Sequence, residues 1–90
     1  MRTFEVFLNK KRLCIAGMDA DCVLSAIVNY VSIKTARFHL SVGGLNTVKD
    51  EHVRWVNRHL RVGDEVRIRI AKRSLADKPV ELSPGPIKGS

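Results

Sequence analysis

Hydrophobic and polar positions alternate along most of this chain, and the alternation is clearest near its C-terminal third. Val66, Ile68 and Ile70 interleave with Arg67, Arg69 and Ala71. A period of two places the three β-branched residues on one face of a strand and the two arginines on the other. Val62-Gly63-Asp64-Glu65 precedes it as a turn, with Gly for an unusual φ and Asp for a local side-chain hydrogen bond. Thr3 to Leu8 shows the same pattern, with Phe4, Val6 and Leu8 on one face. Asn9-Lys10-Lys11-Arg12 interrupts it, and Leu13 to Ala16 resumes with Leu13 and Ile15 aligned. Asn tolerates the left-handed backbone of tight hairpin turns, so residues 3–16 read as a first hairpin. Arg37 to Val42 alternates Phe38, Leu40 and Val42 with Arg37, His39 and Ser41, and His52 to Val56 reads as a short strand around Val53 and Trp55.

Residues 20–32 admit two readings. As a helix, Ala20, Val23, Leu24, Ile27, Val28 and Val31 form an apolar stripe with Asp19 or Asp21 as a cap. As a strand, Leu24, Ala26, Val28 and Tyr30 share one face, and Val23, Ile27 and Val31 share the other. The density of Val and Ile is poor helix stock. Two apolar runs of similar length around Ser32-Ile33-Lys34-Thr35-Ala36 resemble a long hairpin, so the strand reading is preferred. Gly43-Gly44 ends or bulges the second of these strands. Six strand-like segments with regular turns predict an all-β fold, a small antiparallel sandwich or barrel. The alternative is an α+β, β-grasp-like order with a helix at 20–32. From Ser74 the character changes: all three prolines follow, and only Val80-Glu81-Leu82 could add an edge strand. The expected organisation is one basic domain over 1–73 and a tail over 74–90 whose last residues are mobile. The expected core is Phe4, Val6, Leu8, Leu13, Ile15, Phe38, Leu40, Val42, Trp55, Val66, Ile68 and Ile70.

Composition adds a strong charge bias. The chain carries a net +7 in 90 residues, all of it before Ser74. A basic surface of this kind suits anionic partners: nucleic acid, an anionic membrane or an acidic protein surface. Arg54 and Arg58 flank Trp55 on the segment before Arg67 and Arg69, and pairing of the two segments would bring the four arginines together. Lys10, Lys11 and Arg12 form a second cationic group at the first turn. Surface aromatics for base stacking are lacking in this reading, which leaves any nucleic-acid contact mainly electrostatic. No apolar run is long enough to span a membrane, and Arg2 followed by an alternating strand does not resemble a signal peptide, so a cytoplasmic location is expected.

Catalytic patterns are sparse. Cys14, Cys22, His39, His52 and His59 are the soft ligands available, and none forms a Cys-x-x-Cys or His-x-x-x-His pair. Two cysteines among apolar neighbours read as reduced core or near-core residues. A Cys–His nucleophilic pair is the residual enzymatic option, but nothing in the sequence places the two together. Asp64 and Glu65 read as turn residues, and Gly43-Gly44 lacks the pattern of a phosphate loop. Neither a metal nor a cofactor is expected.

The segments LNKKRLCIAG, VLSAIV, VGGLN, the single Trp55 and LRVGDEVRIRI occur in that order. Together they resemble a group of small bacterial domains with an L-N-x-x-R-L-C-x-A-G start and an L-x-V-G-D-E-V end. That group has no established activity, so the resemblance supplies no site residues. The ending L-x-x-G-D-E-V is also similar to the last strand of sulfur-carrier β-grasp proteins, whose reactive Gly-Gly terminus has no counterpart in Ile87-Lys88-Gly89-Ser90. The expected function is therefore a non-catalytic binding module. Its partner is an acidic protein surface or a second copy of itself, with nucleic acid as the alternative, and no small-molecule substrate or membrane is predicted. Arg54, Arg58, Arg67 and Arg69 are the candidate contact residues.

Overall fold

The computed structural model describes residues 1–84. They form seven strands: β1 (Arg2–Leu8), β2 (Lys11–Ala16), β3 (Cys22–Ile33), β4 (Thr35–Asn46), β5 (Glu51–Leu60), β6 (Val66–Lys72) and β7 (Glu81–Pro84). There is no helix among the described residues, and the segment read two ways is a strand from Cys22 to Ile33, as its Val and Ile content favours. The strands make two antiparallel sheets, one in the order β2-β1-β6 and one in the order β3-β4-β5-β7. Their inner faces pack on each other through Val6, Cys14 and Ala16 on one side and Leu40, Val42, Val53, Trp55 and Val56 on the other.

The turns follow from residue chemistry. Asn9 and Lys10 both have positive φ, 51° and 71°, as a two-residue turn between right-twisted strands requires. The Asn9 side chain then ties this turn to the one before β6. Its Nδ2 donates to Asp64 Oδ1 at 3.0 Å, and its Oδ1 accepts from Glu65 N at 2.9 Å. The Asn9 amide, followed by the Arg61 backbone N–H, holds the Asp64 carboxyl below the usual aspartate range. Gly63, at φ 96°, occupies backbone space that L side chains rarely enter.

Two bulges redirect side chains. In the first hairpin Val6 faces Cys14 and Phe7 faces Arg12, which leaves Leu13 as the extra residue. Cys14 and Ala16 therefore take the core side, and Ile15 lies opposite Glu5 on the other face, contrary to the simple alternation expected of Leu13 and Ile15. In the second, Val42 faces Val56 and Gly43 faces Arg54, so Trp55 is extra. The extra residue is thus in β5, and Gly43-Gly44, expected to end or bulge its own strand, instead stays paired within β4 opposite the bulge. Close approach of backbone explains both glycines: a Cβ on Gly43 would lie 2.6 Å from the Val53 carbonyl oxygen, and one on Gly44 would collide with the Val23 carbonyl oxygen.

The folded body continues beyond residue 73. Asp77 N donates to the Ile15 carbonyl, Ile15 N donates back to the Asp77 carboxylate at 2.8 Å, and Trp55 Nε1 donates to the Asp77 carbonyl at 2.7 Å. Asp77 thus caps the outer edge of β2, and β7 follows it onto β5. The boundary expected at 73 is not where the packed chain stops. The expected mobile end lies outside the described residues.

The expected core holds in its centre and fails at one side. Val6, Leu8, Ile15, Leu40, Val42 and Trp55 are buried, and Phe4, Leu13, Phe38 and Val66 are half-buried. Ile68 and Ile70 are 40% and 76% exposed. They do point to the inner side, opposite Val6 and Phe4. However, β6 is the margin of its sheet, and across from it stands β3, not a filled layer. A cleft of about 550 Å³ lined by Phe4, Leu24, Ala26, Ile68 and Ile70 remains open there.

Candidate functional site

The four arginines singled out in the sequence do not share a face. β5 and β6 belong to different sheets, so the pairing that would bring them together is absent among the described strands. Arg54 lies on the outer face of the four-stranded sheet, where Nη1 meets Glu81 Oε1 at 3.3 Å. Arg58 lies opposite Leu40, at the exposed far end of β5. Arg67 and Arg69 lie on the outer face of the three-stranded sheet.

That outer face collects a different set of cations. Phe7 sits opposite Arg12 on β2 and opposite Arg67 on β6. The row Arg12–Phe7–Arg67 therefore crosses all three strands. The Arg67 guanidinium carbon lies 5.6 Å from the centre of the Phe7 ring, and that of Arg69 lies 6.0 Å away. Both are within cation–π range. Lys10 and Lys11 stand at the turn next to Arg12, so the hairpin cations and the β6 arginines form one surface. Phe7 was not foreseen as part of it. Its placement could have been read from the alternation of β1, which puts Phe7 on the face away from Val6.

Glu5 is the acid of this face and is only 1% exposed. Arg69 holds Oε1 through Nη2 at 2.5 Å and Nε at 2.9 Å, and Arg73 Nε donates to Oε2. The bond from Arg73, opposed by burial and reinforced by Arg69, keeps the Glu5 carboxyl below the usual glutamate range. Charge-assisted contacts of this kind compensate the cost of burying the carboxylate. They also commit Arg69 and Arg73 in part to an internal partner, and leave Arg12, Arg67, Lys10 and Lys11 without an ion pair among the described residues.

The three histidines share the outer face of the other sheet. His39 pairs across strands with His59, their ring centres 5.2 Å apart, and His39 is hydrogen-bonded to Asn57. His52 lies three rows along on that face, opposite Leu45, beside a trough of about 570 Å³ over Ser25, Ser41 and Gly43. Cys14 is on the inner face of the opposite sheet, and burial, with the Asp77 charge, pushes its thiol up to about 11. Cys22 shares the inner side with Leu24. The fold thus separates both cysteines from the histidines by the thickness of a sheet. No group of three or more metal-binding side chains occurs among the described residues, and no helix there is long and apolar enough to cross a membrane.

Comparison with protein-family models, with curated proteins and with solved structures finds no match for this chain.

Proposed function

We propose that this domain is a non-catalytic binding module that engages an acidic protein surface through the outer face of its three-stranded sheet. The reading rests on the cross-strand row Arg12–Phe7–Arg67, which gathers cations from two strands around one aromatic side chain. Lys10 and Lys11 extend the positive field toward the turn. Arg69 serves both sides, anchored to Glu5 and leaning on Phe7. Arginine suits this role because its planar fork binds carboxylates in pairs and its face stacks on aromatic rings. The net charge of +7 adds steering toward a negative partner.

Nucleic acid is the second reading, and Phe7 favours it by supplying the surface aromatic that base stacking requires. Two features weigh for protein. Phe7 is a single half-buried ring, whereas single-strand binders present several stacking platforms. Arg67 and Arg69 already lie near it.

The test is a fluorescence titration with an acidic polypeptide, a mixed-sequence single strand and a duplex, each at low and physiological salt. The proposal predicts saturable binding of the acidic polypeptide that is lost in Arg12→Glu/Arg67→Glu and kept in Arg54→Glu. Equal loss in both variants would reduce the interaction to net charge and overturn the proposed face. Preferential single-strand binding that falls in Phe7→Leu would replace the protein reading with the nucleic-acid one.

A further inference from the structure

We infer that β3 is a self-association edge, and that a second copy of this chain closes the open side of the sandwich by antiparallel β3–β3 pairing. The inference concerns a surface distinct from the cationic face and does not depend on it.

The first observation is that β3 is the one long edge without protection. Among the described residues it pairs with β4 alone. It runs for 12 residues, Cys22–Ile33, without a charge or a proline. Edge strands ordinarily carry such guards, or are covered, because bare backbone invites another strand. The remaining edges comply. Asp77 caps β2, β7 spans four residues and ends at Pro84, and β6 carries Arg67, Arg69 and Lys72.

The second observation is apolar exposure concentrated on this strand. Val23, Ile27, Val28, Tyr30, Val31 and Ile33 are all 41% exposed or more. The distal end of the β3–β4 hairpin, residues 30–37, is exposed throughout and forms an overhanging arm, with Tyr30 stacked on Phe38 at 4.8 Å. Isolated exposed hydrophobics are ordinary, but a contiguous set along an unpaired edge marks an interaction site.

The third observation selects the occupant. β3 is preceded by Asp19 and Asp21 and followed by Lys34 and Arg37, and none of the four has an ion pair among the described residues. An antiparallel pair about a two-fold axis through the middle of the strand, near Ile27 and Val28, places the acidic end of each copy against the basic end of the other. The arrangement is self-complementary and closed, as an isologous interface must be, whereas pairing β3 with β6 would be head-to-tail and would propagate. It also lays the overhanging arm of each copy beside the other's open cleft, with Tyr30 approaching Ile68 and Ile70. An edge about 40 Å long, at the usual rise per residue, on a body 16 Å thick offers a footprint on the order of 600 Å² per copy, at the lower bound for specific association.

Analytical ultracentrifugation over a dilution series tests this. The wild-type chain should sediment at about twice its 10.1 kDa mass at micromolar concentration, with the dimer weakening as salt screens the paired end charges. Val28→Lys, which sets like charges near the axis, should raise the dimer Kd on the order of a hundredfold. Asp19→Lys/Asp21→Lys and Lys34→Asp/Arg37→Asp should each be monomeric alone and should form a one-to-one heterodimer when mixed. All five residues are exposed, and Trp55 fluorescence reports that each variant is folded. A wild-type chain that stays monomeric at every concentration would overturn the inference. So would a dimer that survives Val28→Lys, or two charge variants that remain monomeric on mixing.

Discussion

Glu5 and Arg69 lie 64 residues apart in the chain and meet at 2.5 Å, with the carboxylate almost fully removed from solvent. The contact fastens β6 to β1 on the outer face while Val6 and Ile68 face each other on the inner one. Because Arg73, and after it Arg69, depress the Glu5 pKa relative to the unfolded chain, the stabilisation is complete above the ordinary glutamate range and is lost as pH falls through the depressed value. Thermal unfolding followed across the acid range should therefore show a fall in Tm for the wild type that is flattened in Glu5→Gln. The variant should already be less stable at neutral pH. An identical acid profile for the two proteins would place the titrating group elsewhere.

Packing predicts a clear ranking of truncations. Leu40 is 0% exposed at the centre of the core, so Leu40→Ala should cost about 2–5 kcal/mol. Ile70, at 76% exposed, should tolerate Ala within about 0.5 kcal/mol in the monomeric protein. Urea denaturation of the two variants measures both values. Comparable costs would mean that the β6 margin is covered in the monomer.

This contrast marks what could be read in the sequence and what could not. Alternation in Thr3–Leu8, Arg37–Val42 and Val66–Ala71 located strands and their apolar faces, and β-branched content identified β3 as a strand despite its helical stripe. Alternation states which residues share a face, but not whether anything lies against that face. Val66, Ile68 and Ile70 are aligned in the pattern and inward in the fold, yet exposure rises toward Ile70 because β6 ends its sheet. Strand partners were equally hidden. Arg67 lies nearer in sequence to Arg58 than to Arg12, but β6 pairs with β1, and Phe7 brings Arg12 and Arg67 into one row. The bulges at Leu13 and Trp55 each shift the alternation by one residue; no local pattern announces the first, and the glycine pair that signals the second lies on the facing strand.

The glycine pair in β4 yields a sharper test. Gly44→Ala drives a methyl group into the Val23 carbonyl, backbone that cannot rotate away, so a cost of about 1–3 kcal/mol is expected. At Gly63 space is open, and the cost of Ala arises only from the positive φ, about 1 kcal/mol. Equilibrium unfolding of both variants should rank Gly44→Ala as the more damaging. The reverse order would show that β3 and β4 separate easily at this point.

Cysteine labelling probes the inner layer. Cys14 is buried with its thiol pushed up to about 11, whereas Cys22 is partly exposed at the start of β3. A thiol reagent at neutral pH should label Cys22 in the native protein and reach Cys14 only on unfolding, as mass spectrometry of the labelled chain would show. Rapid labelling of Cys14 would contradict the packing of β2 against the core and would reopen a nucleophilic role for it.

The central functional claim is that the outer face of the three-stranded sheet makes the contact. Amide shift mapping by two-dimensional NMR, during titration with an acidic polypeptide at physiological salt, tests it most directly. The account predicts shifts concentrated at Phe7, Lys10, Lys11, Arg12, Arg67 and Arg69. Shifts centred on His39, His52 and Arg54, or spread evenly over every basic residue, would contradict it.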